Sequence, residues 1–318
     1  MPSSIENVEK MIRPRDIHNK FDFVLNVTMF LEDIWEGLMP DIGGHSDSNY
    51  LVDVSNSVEN LDLVKRVLSQ LSTQRHTHNR IHIDDLLCDV VRSIGYDAAY
   101  FGKTAYEIFI YYKGDDDQEE VEKIKVIELK RIESERYWNF LNWYLILTHS
   151  VHDVGKSNCV ISQDSIWEVR IPRELGGTRR HNKNLSQLAK IHKIIPEFWM
   201  DDIKLNQNPS GFNQTEHFRM KQLLDYKLTK EWGWHCRKYG DDIMTEMFII
   251  YRALTFKWAQ AVFRNHIIKS INNLLFKLDI NSKISVQGLP EPDEILRLRD
   301  DMIKGKISFN EALEKTNI

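Results

Sequence analysis

Residues of one face recur at spacings of three and four through Phe21, Val24, Leu25, Thr28, Met29, Leu31 and Trp35. That spacing predicts a helix, broken by Gly37, Pro40 and the Gly43-Gly44 pair. A second amphipathic helix is expected from Asn60 to Leu71, with Leu61, Val64, Leu68 and Leu71 on one side. A third starts near Asp84, with Asp84 or Asp85 as its cap, and is expected to stop at Gly95.

The period then changes. Residues from Ala98 to Arg131 are rich in Val, Ile and Tyr, nearly alternating around the acidic turn Asp115-Asp116-Asp117, which predicts a β-hairpin. A further strand is expected at Ser165–Pro172 after a turn at Ser162–Asp164, then a helix from Asn184 to Phe198 behind Gly176-Gly177. Residues 203–240 are polar and punctuated, with one short helix at His217–Lys230. The longest periodic run is Asp241 to Phe276. Ile243, Met247, Ile250, Leu254, Trp258, Ala261, Ile268, Ile271 and Leu275 define its apolar stripe. A short strand at Lys283–Val286, a turn at Gly288-Leu289-Pro290 and a helix from Pro292 to Lys304 close the pattern. The expected class is α+β: mostly helical, with a small β-rich segment and one long helix.

Composition narrows the class. The chain has 318 residues, 42% hydrophobic and 28% charged, which excludes a disordered or collagen-like polymer. Its net charge of -5 argues against a protein that grips nucleic acid over its whole surface. The one long uncharged stretch, Tyr137 to His152, is too short for a spanning helix, which needs about 20 apolar residues. Charges of both signs in the first sixteen residues speak against a signal peptide. Cys88, Cys159 and Cys236 are isolated and odd in number, so neither a zinc ribbon nor a disulfide framework is expected, and a reducing, cytoplasmic setting is.

Candidate chemistry is sparse. His152-Asp153-Val154-Gly155-Lys156 resembles the signature of metal-dependent HD-type phosphohydrolases, in which His and Asp bind a divalent metal that activates water. With His149 three residues upstream, the alternative ligand set is His149, His152 and Asp153. The partner ligands that chemistry needs on flanking helices are missing, and a strand–loop turn is the plainer reading. His76, His78, His82, Asp84 and Asp85 also crowd together, but Arg75 and Arg80 oppose a dication, and a polar loop before a helix explains them. Gly-x-Ser-x-Gly, P-loop and dinucleotide-binding patterns are all missing from the sequence. Trp232-Gly233-Trp234 predicts a compact turn that buries its indoles, with base stacking as the alternative. On the long helix Arg252, Lys257, Arg264, Lys269 and Lys277 are spaced so that several lie along one side, either as a solvated face or as a wall facing phosphate.

The order of elements carries a resemblance. Asp89–Tyr112 (DVVRSIGYDAAYFGKTAYEIFIYY), Val126–Trp138 (VIELKRIESERYW), Ile161–Arg180 (ISQDSIWEVRIPRELGGTRR) and Leu185–Trp199 are similar in order and texture to the portal proteins of tailed bacteriophages. His266–Leu275 resembles the end of their stem helix, Lys283–Val286 the strand after it, and Met302–Leu313 (MIKGKISFNEAL) their closing helix-Gly-Ile-Ser-x-x-Glu pattern.

That resemblance implies a helical region at 1–92, a mixed wing-like region at 93–202, a clip-like excursion at 203–240, and a stem-like helix with a helical closure at 241–318. It implies a homo-oligomeric ring of about a dozen copies closed by head-to-tail contacts. Double-stranded DNA would pass through the ring at a capsid vertex, with Lys257, Arg264 and Lys269 along its path. Partners would be capsid and head–tail connector proteins and the packaging ATPase. The location would be the virion, assembled in the host cytoplasm, with no cofactor, no catalytic residue and no membrane. Set against this are the HD-type phosphohydrolase and a non-catalytic soluble interaction protein.

Overall fold

The computed structural model describes residues 25–40, 50–55, 58–72, 82–113, 124–131, 139–140, 143–147, 158–191, 222–236 and 245–315. The fold is α+β and mostly helical, with small sheets. Its contacts divide it into two compact units whose stretches alternate along the chain. Unit 1 holds the described residues of Met39–Arg170 and Ile267–Gly288; unit 2 holds those of Asn19–Leu38, Ile171–His266 and Leu289–Ile318. Neither coincides with a single consecutive region, because strands and helices far apart in sequence bury their apolar faces together.

Unit 1 contains β1 (Leu51–Ser55), α2 (Val58–Leu71), α3 (Ile83–Phe101), β2 (Lys103–Lys113), β3 (Ile124–Arg131), β4 (Asn139–Phe140), β5 (Trp143–Leu147), β6 (Asn158–Ser162), β7 (Ile166–Arg170) and β8 (Lys283–Gln287). The expected hairpin is present: β2 and β3 pair antiparallel from Tyr106↔Arg131 to Lys113↔Ile124, and β7 adds on the other side from Lys103↔Arg170 to Glu107↔Ile166. A second antiparallel sheet runs β4-β5-β6, and β1 pairs with β8.

Helix α3 runs on past Gly95, where a stop was expected. A mid-helix glycine costs about 1 kcal/mol, and this one is outweighed by the buried face of Leu87, Val91, Ile94 and Ala98. The helix ends instead at Gly102, whose left-handed φ of 79° lets its N–H reach the Ala98 carbonyl. Asp84 does not cap the helix either. The N-cap is His82, and Asp84 Oδ1 accepts from the Val52 N–H of β1 at 2.9 Å.

An ion pair between a buried carboxylate and a half-exposed arginine ties α3 to the sheet. Asp97, 2% exposed, accepts from Arg131 Nη2 at 2.5 Å and from Thr104 Oγ1 at 3.3 Å. Burial, and after it the Asp97 charge, pushes the Tyr106 phenol beside this cluster up to about 12. Replacing Arg131 by Met is expected to cost about 3 kcal/mol, because the buried carboxylate loses this cation. Asp97→Asn, which keeps an acceptor and frees an already half-solvated arginine, should cost about half of that. Urea midpoints of the two variants check the order.

Unit 2 contains α1 (Leu25–Glu36), α4 (Gly177–Ile191), a helical segment at 222–228, α6 (Pro292–Ile303) and α7 (Phe309–Glu314). The long helix, α5 (Glu246–Lys277), contributes residues to both units, the division falling between His266 and Ile267. Ile250 and Leu254 of α5 form a buried cluster with Met302 of α6 and Ala312 of α7. Pro292 opens α6 and the Glu294 carboxylate accepts from the Glu291 N–H, so the first turn is closed by its own sequence.

Candidate functional site

The most concentrated chemistry among the described residues lies in unit 2, where the chain turns from the segment at 222–228 onto α5. Thr229 O accepts from the N–H groups of Trp232 and Gly233, closing the turn, and Gly233 holds a φ of 74°. The turn then lies directly on the helix. A Cβ built on Gly233 would stand 2.5 Å from Thr255 Cβ and 2.9 Å from the Phe256 backbone nitrogen. Both indoles are buried as expected. Trp232 meets Phe30, Phe263 and His181 at ring distances of 6.1, 5.8 and 5.7 Å, and Trp234 donates to Asp33 Oδ2 at 2.7 Å. This is aromatic packing; neither ring is open for a base to stack upon.

Arg252 of α5 organises the turn. Its Nε and Nη2 donate to Trp234 O at 3.1 and 2.5 Å, Nη1 to Tyr226 O at 3.2 Å, and Nη2 also to Thr229 Oγ1 at 2.9 Å. The guanidinium lies 4.8 Å from the centre of the Tyr226 ring and makes no ion pair among the described residues. The Tyr226 carbonyl at a helix end and the Trp234 carbonyl of the turn thus take the place of its hydration. Burial lowers its pKa below the ordinary arginine value. Sequence reading placed this residue on a solvated or phosphate-facing side. Ile249, Ile250, Ala253 and Leu254 around it on α5 are buried as well.

Of the residues assigned to a nucleic-acid path, Lys257 and Arg264 share one side of α5, while Lys269 lies on another. Arg264 is buried, with Nη2 on Pro290 O at 2.8 Å and Nε on Asn265 Oδ1 at 3.2 Å, while Asn265 Nδ2 reaches Glu291 Oε2 at 2.7 Å. It is a strut holding the start of α6 to α5. Lys257 is half-buried, and that burial lowers its pKa below the usual lysine value. Lys269 is exposed. At about 100° per residue, Lys269 sits about 140° around the helix from Arg264, and Arg252 about 120° from it on another side. The five cations therefore surround α5. Its apolar positions do so too, since Ile249, Leu254, Phe256, Ala259 and Phe263 are all buried in unit 2 and Ile267, Ile271 and Leu274 in unit 1.

His149, His152 and Asp153 lie outside the described residues, as do His76 and His78. Among the described residues no group of three His, Cys, Asp or Glu side chains converges as metal ligands, and no helix is long and apolar enough to cross a membrane. No protein-family model matches the chain, and no curated protein is similar to it.

Proposed function

We propose that the chain is a structural, self-associating protein of the portal type, acting as a ring subunit through which double-stranded DNA passes. One observation supports this reading above the others: the order of elements from α3 onward. A helix runs into a β-hairpin; a strand, β7, is followed by the Gly176-Gly177 loop and a helix; then come the 32-residue α5, the short β8, and the α6–Gly305–α7 closure. This is the order in which the portal-like segments occur in the sequence.

Chemistry at the long helix bears on how such a ring would treat DNA. With Arg252 and Arg264 committed to carbonyls, Lys269 is the exposed member of the proposed path. Weak phosphate contact suits a polymer that slides, because each neutralised phosphate adds to affinity and to its salt dependence. Capsid, connector and packaging ATPase partners belong to the same proposal.

The mass of the native assembly tests it. Mass photometry of the purified chain at micromolar concentration should show a ring of about twelve copies. A strictly monomeric protein across that range overturns the reading.

A further inference from the structure

We propose that His235 makes the turn at Trp232–Cys236 an acid-sensitive latch on α5. The proposal does not depend on the ring reading, and it follows from where the imidazole is placed. His235 is 7% exposed, with its ring 6.2 Å from that of Phe256 on α5 and edge-on to it. It directly follows Trp234, whose carbonyl holds Arg252 and whose indole holds Asp33. Two ties of the turn, the Trp234 carbonyl on Arg252 and the Trp234 indole on Asp33, thus belong to the residue next to this titratable ring.

The charges facing it come from two helices. Asp33 lies on α1; Arg252 and Lys257 lie on α5. Glu231, on the turn itself, is ion-paired with Arg180 of α4. The nearby carboxylate, Asp33, already accepts from Trp234, while the two cations sit in water-poor surroundings. A proton on His235 would add a third positive charge where one carboxylate faces two cations.

Burial, with Arg252 and Lys257 adding to it against the pull of Asp33, lowers the imidazole below its ordinary value of 6.5. The sign follows directly. The folded turn keeps His235 neutral, while an opened turn lets it take a proton near 6.5. The stabilisation is therefore complete above that pH and is lost as the pH falls below it. Because the ring belongs to the turn, opening the turn is enough to hydrate it, without disturbing β2 or β3.

Hydrogen exchange read by mass spectrometry at pH 7.5 and 5.0, corrected for the intrinsic rate, tests this on the full chain. Protection of residues 232–236 and 246–256 should fall several-fold at the lower pH. Strands β2 and β3 should keep their protection. His235→Phe, and His235→Gln as a second variant, should abolish most of the fall. A flat wild-type profile, an equal fall in either variant, or a fall shared by β2 and β3 overturns the proposal. If neither variant folds, confinement of the wild-type fall to those two stretches decides.

Discussion

Replacing Arg252 by Met is expected to lower stability by about 4 kcal/mol, one of the two largest effects predicted for a single side chain. The estimate follows from what the guanidinium leaves behind. Trp234 O and Tyr226 O are buried acceptors served by its fork, and a buried acceptor without a donor costs about 1–3 kcal/mol. Contact with the Tyr226 ring is lost as well, worth about 1 kcal/mol. Arg252→Lys should recover less than half, because one ammonium cannot reach Trp234 O, Tyr226 O and Thr229 Oγ1 in the guanidinium's planar geometry. Lys269→Met, on the same helix but exposed, should change stability by less than about 0.5 kcal/mol. Urea denaturation of the three variants gives the ranking. A cost for Arg252→Met below about 1 kcal/mol would mean that water replaces the guanidinium freely.

The second large effect is Gly233→Ala, expected to cost about 4 kcal/mol or to expel the turn from α5 altogether. Two causes add. Its φ of 74° disfavours any side chain by about 1 kcal/mol. The remainder is steric, since the new methyl would overlap Thr255 Cβ and the Phe256 backbone nitrogen, and helical backbone cannot move aside. Gly305 separates the two causes. Its φ is 69° with nothing within 4 Å of a built Cβ, so Gly305→Ala should cost only the conformational part, about 1 kcal/mol. Similar costs for the two substitutions would show that the turn stands off the helix. Thermal midpoints or urea titrations of the pair are sufficient.

Periodicity located most of the described elements. The second helix, both hairpin strands, the strand before Gly176-Gly177, the long helix and the final strand lie where spacing placed them, within a few residues. The helix expected from Asn184 begins earlier, at Gly177, and its expected end at Phe198 lies outside the described residues. Errors arose where tertiary contact overrode local preference. Gly95 reads as a stop, yet it lies on a helix face that is buried, and burial decides. Asp84 reads as a helix cap, but a strand N–H distant in sequence takes its carboxylate.

The candidate site was less legible. Trp232 and Trp234 were recognisable as a buried turn, because two indoles around a glycine have few other uses. The partner that holds them was not. Arg252 is one cation among five on α5, and spacing alone does not separate an arginine bound to carbonyls from one in solvent. That distinction depends on residues 222–236 folding back over the helix, a contact between segments with no shared periodicity.

Alternation of the two units along the chain has a consequence for synthesis on the ribosome. Strand β1 pairs with β8, and Ser55 bonds Lys283 across 228 positions of sequence. At about 5–20 residues per second, the nascent chain carries an unpartnered β1 for roughly ten to fifty seconds. Unit 2 must likewise wait for α6 and α7 before Ile250 and Leu254 can be covered. Unit 1 is thus incomplete until Gly288 has been made, and unit 2 until α7 has followed it.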